Sequence, residues 1–214
     1  IFTLFLQAKY GYSAAEAGQV YGIFLAFVYF MPLFGGLLAD KVLGYGRTIS
    51  AGMVVMFLGY LLLAIPTTKD GGVWLVFTAL GVISLGTGLF KGNLQALVGN
   101  LYDDPKYQAK RDVAFNIFYM GINIGAVFAP SAAAAMRNWY LSSKGMGYDP
   151  DLPSLCWQLK NGTLTDTANL QTLADKASGS HVTDLAAFAD SYISIFSTGY
   201  NYAFAVAGVA MLVS

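Results

Sequence analysis

Lys91 is the only ionised side chain between Gly71 and Tyr102, a stretch otherwise made of apolar, small and neutral polar residues. A lysine near the middle of a membrane span costs about 2.5–3.5 kcal/mol on insertion scales, so it faces a water-filled path or a partner. A functional role, on the wall of a cavity, is the default for such a residue. Residues 92–102 separate it from Asp103 and Asp104, about 17 Å of helix at 1.5 Å per residue, too deep for comfortable snorkelling. Gln95 lies four residues on and shares its face, whereas Asn93 points roughly opposite, toward a hydrogen bond with a neighbouring helix. A second polar stripe, Asn116, Tyr119 and Asn123 at i, i+3 and i+7, crosses the uncharged run 113–136. Amide and hydroxyl groups in hydrocarbon seek partners, so this stripe is either interhelical hydrogen bonding or a substrate-facing wall. Tyr21 and Tyr29, in an earlier apolar run, are candidates for the same wall.

The elements that must hold these groups follow from where the charges fall. Of 214 residues, 56% are hydrophobic and 11% charged, against about 25% charged in soluble domains. Uncharged runs occupy 17–39, 48–68, 71–90, 113–136 and 191–214, each near the ~20 residues a bilayer-spanning helix needs. Period-2 alternation of the kind found in membrane barrels is missing. The expected fold class is an all-α membrane protein, with helices at about 1–8 (partial), 18–39, 48–66, 73–101, 113–136 and 198–214. The short apolar opening reads as the tail of a truncated first span, and the chain as a piece of a longer protein. Gly-rich stretches at 35–38 and 86–88 are expected to let helices approach closely. The expected organisation is therefore membrane helices one to five over 1–136, an insertion at 137–197 and a sixth span at 198–214.

The short loops 40–47 and 103–112 hold Lys41, Arg47, Lys106, Lys110 and Arg111, which places them in the cytoplasm by the positive-inside rule and 137–197 outside. In 35–48, GGLLADKVLGYGRT, Asp40 is expected to meet Arg47 and the positive end of the next helix, as a latch. The 137–197 segment is too long for an ordinary loop. Its stripe Leu185, Phe188, Tyr192 and Phe196, opened by Thr183-Asp184, predicts one or two short helices resting on the bundle or membrane surface. Twelve basic and 12 acidic residues cancel, which leaves no electrostatic footprint for nucleic acid. One cysteine, Cys156, and one histidine, His181, support neither a disulfide, a metal cluster nor a hydrolase triad. No enzyme chemistry, metal or cofactor is expected.

With these residues in view, GGLLADKVLGYGRT resembles the loop between the second and third helices of the major facilitator superfamily. GTGLFKGN (86–93) and FYMGINIGA (118–126) resemble two motifs of its proton-dependent oligopeptide transporter family. The family form is FKPN; Gly92 replaces its proline, a change that bears on the local kink but keeps lysine and asparagine in register. The resemblance implies a major facilitator superfamily bundle of two six-helix halves alternating access to a midplane site. This chain would be the N-terminal half. It further implies substrate-binding roles for Lys91, Tyr119, Asn123 and Tyr29 and gating roles for Asp40 and Arg47; Asn93, Gln95 and Asn116 are secondary candidates from the helical spacing alone. Protons would be the coupling ion, through a carboxylate of a first-span ExxER motif upstream of Ile1. The implied partners are a short peptide, the lipid bilayer and the C-terminal half of the same transporter. The implied activity is symport of di- and tripeptides across the cytoplasmic membrane, with the insertion extracytoplasmic. A same-fold carrier of nitrate or a drug is the first alternative, and a purely structural membrane bundle the second.

Overall fold

The structure is a computed structural model that describes residues 2–67 and 69–213, with the side chains at 69–71, 212 and 213 outside that description. Ile1 and Ser214, the ends of the first and last expected spans, lie outside the described residues. The described chain forms eight α-helices: α1 (Phe2–Tyr10), α2 (Ala14–Leu38), α3 (Tyr45–Ala64), α4 (Lys69–Asn100), α5 (Arg111–Ser143), α6 (Leu152–Lys160), α7 (Thr167–Ser178) and α8 (Leu185–Val213). No strand occurs among the described residues. Four segments, Ala14–Leu43, Tyr45–Ala64, Gly72–Asn100 and Gln108–Ser143, are long and apolar enough to cross a membrane.

Several helices outrun the uncharged runs that announced them, and each extension has a local cause. At the start of α2, Ser13 Oγ accepts from the Glu16 amide at 3.2 Å and Glu16 returns the bond to the Ser13 amide at 2.8 Å. This capping box satisfies two otherwise orphaned donors and fixes the first turn before the charge-free stretch begins. The α5 helix does not stop at Arg137 but runs on to Ser143, because Arg137 is buried inside the bundle rather than solvated. Likewise α8 starts at Leu185, so the sequence boundary at 198 falls within one continuous helix. Within its first half Asp190 pairs with Lys160 of α6.

Helices α2, α3 and α4 pack through glycine. A Cβ on Gly35 would overlap the carbonyl of Gly88, one on Gly52 would lie 2.8 Å from the Gly86 carbonyl, and one on Gly86 would lie 2.6 Å from Met56. Only glycine permits backbones this close, as in small-residue packing of membrane helices generally. The expectation of close approach at 35–38 and 86–88 therefore holds at Gly35, Gly86 and Gly88, while Gly36 faces open space. Helix α4 runs unbroken through Gly92, which sits against Pro32 of α2.

Helix α8 carries the other large buried face. Asn201 donates to the Leu63 carbonyl at 2.6 Å and to that of Ile65 at 3.3 Å, occupying carbonyls that the end of α3 would leave unpaired. The 144–184 segment contains the two short helices α6 and α7. Its Leu152, Cys156, Leu170 and Ala174 are fully buried together with Phe188, Tyr192 and Ile193 of α8. The amphipathic stripe from Leu185 to Phe196 belongs to α8 itself and is what α6 and α7 cover. Burial pushes the Cys156 thiol up to about 12, so it stays protonated at neutral pH.

Candidate functional site

The helical offsets bring one part of the predicted site together. Lys91 and Gln95 stand one turn apart on α4, and each meets a predicted residue from another helix. The Lys91 ammonium lies 4.3 Å from the centre of the Tyr29 ring of α2. Gln95 donates to the Tyr119 hydroxyl of α5 at 3.5 Å, a long contact at the outer limit of hydrogen bonding. Three helices thus contribute to one polar face, with α4 in the middle. The close approach of α2 and α4 at Gly35 and Gly88, one turn before Lys91, is what carries Tyr29 to the lysine.

This face is open. Tyr29 is 68% exposed and Tyr119 46%. Among the described residues no carboxylate pairs with Lys91. The contact it makes among the described residues is with an aromatic ring, which attracts a cation without neutralising it. A primary ammonium has three donors and no acceptor, so the arrangement offers charge and hydrogen bonds to an incoming anion. The phenols and the Gln95 amide around it can accept or donate, and are indifferent to the side chains a ligand carries.

The other predicted residues fall elsewhere. Asn93 is buried and donates to the Gly35 carbonyl at 3.0 Å and to that of Leu89 at 2.8 Å. It ties α4 to α2 on the side away from Lys91. Asn116 and Asn123 lie exposed on α5 with no hydrogen bond to the described residues. Tyr21 sits against Phe24, with ring centres 6.3 Å apart.

The Asp40–Arg47 latch does not form as expected. Asp40 instead accepts from the Tyr45 hydroxyl at 2.6 Å. No side chain caps the first turn of α3. The reason is local: the chain after α2 widens into a π turn over Ala39–Leu43. Gly44, at φ +75°, then reverses it directly into α3. That turn points Asp40 at Tyr45 and leaves Arg47 exposed without an acidic partner among the described residues.

Two buried charged positions were not singled out from the sequence. Arg137, read only as the end of an uncharged run, is 5% exposed and donates to the Tyr200 hydroxyl at 2.7 Å. Lys9, also buried, donates to Thr67 Oγ1 at 2.6 Å and joins α1 to the α3–α4 connection. The aromatic run of α8 around Tyr200 was the one available signal for the first; nothing local marked the second.

Comparison with known proteins places this arrangement. The POT family profile (PTR2) matches residues 46–214. The chain is 42% identical over 124 residues to a di-/tripeptide transporter of Lactococcus lactis subsp. lactis, covering 58% of this chain and 24% of that protein. It is 38% identical over 138 residues to the dipeptide and tripeptide permease B of Shigella dysenteriae serotype 1, covering 64% and 27%. The chain thus spans about a quarter of the length of the curated relatives it matches. Among solved structures, tetrameric PepTSo2 matches with a TM-score of 0.63 and 27% identity, over 99% of this chain and 33% of the other. A structure described for substrate recognition in proton dependent oligopeptide transporters matches at 0.59 and 28%, over 99% and 37%. The fold is that of a major facilitator superfamily transporter. The chain belongs to the POT family, as the motifs around Lys91 and Tyr119 had indicated, and is a multi-pass membrane protein.

Proposed function

We propose that the parent protein takes up di- and tripeptides across the cytoplasmic membrane by proton-coupled alternating access, and that this chain supplies part of its N-terminal half. The observation that carries the reading is the unpaired Lys91 ammonium on an open polar face beside Tyr29 and next to the Gln95–Tyr119 pair. The names of the matched relatives, which are di- and tripeptide carriers, support peptide as the cargo. On this reading Lys91 holds the substrate carboxylate, while Tyr29, Gln95, Tyr119 and the exposed Asn123 and Asn116 serve the peptide backbone. Asp40 and Arg47 lie on the cytoplasmic hinge and act in gating separately, rather than as a pair. The acid that exchanges a proton with the Lys91 site comes from a part of the transporter other than the described residues. No catalytic chemistry, metal or cofactor enters the cycle.

The test is uptake of a labelled dipeptide into liposomes that contain the full-length protein, with and without an inward proton gradient. Gradient-driven uptake by wild type that is lost in Lys91→Ala supports the proposal. A folded wild type that leaves dipeptides outside but accumulates another solute moves the cargo to that solute.

A further inference from the structure

We propose a second ligand site, for the carboxylate of a short peptide, in the cavity that α6 closes over the α1–α2 turn, with Arg137 as its anchor; this rests on the reading of the parent protein as a peptide carrier. The cavity measures about 460 Å³, within the range of small-molecule sites. Arg137 stands in its wall with Tyr148, Phe196 and Tyr200, and Tyr12 and Trp157 also line it. The guanidinium carbon lies 4.1 Å from the centre of the Tyr148 ring and 5.1 Å from that of Phe196. Its nitrogens donate to the Tyr200 hydroxyl at 2.7 Å and to Asn138 Oδ1 at 2.9 and 3.1 Å. Every one of these partners is neutral, and no carboxylate among the described residues pairs with Arg137. A guanidinium has five N–H donors in a planar fork, of which three are occupied. The remaining two, with a buried positive charge still uncompensated, fit a carboxylate.

The rest of the cavity suits a zwitterion. Glu16 lines it as well, and only one of its carboxylate oxygens is used, by the Ser13 amide and hydroxyl. The second oxygen can receive an ammonium. The walls are preformed, because Trp157 donates to the Ala8 carbonyl at 2.8 Å and its ring covers Gly11 so tightly that a Cβ there would lie 2.7 Å away. Gly11 also has φ +70°, so glycine is favoured there twice over. This site is separate from the Lys91 face: Arg137 is eighteen residues beyond Tyr119 on α5, about 27 Å along the helix. It occupies the end of the bundle opposite the Asp40 hinge, the side from which the proposed cycle draws its substrate.

The experiment is calorimetric titration of the full-length transporter carrying Lys91→Ala, which removes the first anion site, with alanyl-alanine and with its C-terminal amide. We expect alanyl-alanine to bind, the amide to bind at least tenfold more weakly, and Ser154→Trp in the same background to lower alanyl-alanine affinity at least tenfold. Ser154 is exposed on the cavity rim, so the indole fills the cavity without entering the core. Arg137→Gln is expected to have the same effect, and the rim variant keeps the test valid if that protein misfolds. No alanyl-alanine binding to Lys91→Ala, equal binding of acid and amide, or unchanged binding in Ser154→Trp overturns the site. If wild-type liposomes fail to accumulate alanyl-alanine while the cavity still binds it, transport of peptide falls and the site stands.

Discussion

Arg137 and Lys91 both belong to the helical bundle, and the chain treats these two cations in opposite ways. Arg137 is enclosed at the level of 5% exposure, gripped by two hydrogen-bonding neighbours and stacked on aromatic rings. Lys91 keeps one ring for company and is open on an exposed face. The difference reaches beyond the two side chains. Around Arg137, α5, α8 and the 144–184 segment share a continuous core, with Leu141, Tyr192 and Tyr200 fully buried. Around Lys91, the α5 window of the candidate span has no buried residue at all. A planar, rigid guanidinium suits a preformed site with fixed walls, and a flexible ammonium suits an open face that rearranges around its partner. One end of the bundle is therefore built as a rigid, preformed pocket around its cation, and the polar face of α4 and α5 is left open.

The largest effect that can break this comparison is at Lys91. Lys91→Gln keeps length and polarity but removes the charge. A hydrogen bond to a charged group contributes about 1.5–3 kcal/mol, so carboxylate affinity at this face should fall by about 10- to 100-fold. Dipeptide competition on the full-length transporter measures it. If the glutamine variant binds and transports like wild type, the openness of Lys91 has no functional meaning.

Next in size is a probe of the scaffold. Leu170 of α7 is fully buried in the segment that links the long helices α5 and α8. Truncating a buried leucine there costs about 2–5 kcal/mol through lost burial and the cavity left behind. Leu170→Ala should therefore lower the unfolding midpoint of the 144–184 segment, followed by limited proteolysis against temperature. Unchanged protection would mean that this segment rests loosely on α8, and the contrast between a rigid end and an open face would fail.

Parts of this arrangement were legible in the sequence, and others were not, for identifiable reasons. Lys91, Gln95, Asn93 and the Tyr119 stripe could be placed because helical periodicity fixes relative faces once a span is recognised. That Gln95 and Tyr119 meet, and that Tyr29 lies over Lys91, depends on how close α2, α4 and α5 come. The glycines at 35–38 and 86–88 signalled that approach without specifying its partners. Arg137 was opaque because its cage is assembled from Tyr148, beyond the end of its own helix, and from Phe196 and Tyr200, far away in the chain. The Asp40 hinge was misjudged because its outcome turns on one π turn and a positive-φ glycine, which charge spacing does not reveal. The end of α5 was placed short because a charge was taken to mark water, whereas Arg137 is buried; the start of α8 was placed short because its first turns are an amphipathic stripe covered by α6 and α7, which reads as a separate short helix.

The smallest expected effect tests how far the rigid, hydrogen-bonded scaffold reaches. Between α7 and α8, the Asp175 carboxylate accepts from the Val182 amide at 2.8 Å, from Gln171 Nε2 at 2.8 Å, and meets His181 Nδ1 at 2.8 Å. The Val182 amide, followed by His181, holds its carboxyl below the usual range. A carboxylate with a depressed folded pKa stabilises the fold above its unfolded value of about 3.9, and that contribution is lost as pH falls through the lower folded value. Hydrogen exchange at the Val182 amide, corrected for its intrinsic pH dependence, should show protection that is high at pH 6 and declines below about pH 4. Asp175→Asn should show weaker protection with little pH dependence. Because Asp175 is partly exposed, the change is local and leaves global unfolding nearly unmoved. Equal protection in both proteins at both pH values would show that this connector is held by the packing of Leu170 and Phe188 alone, and the hydrogen-bonded scaffold would end at the Arg137 cage.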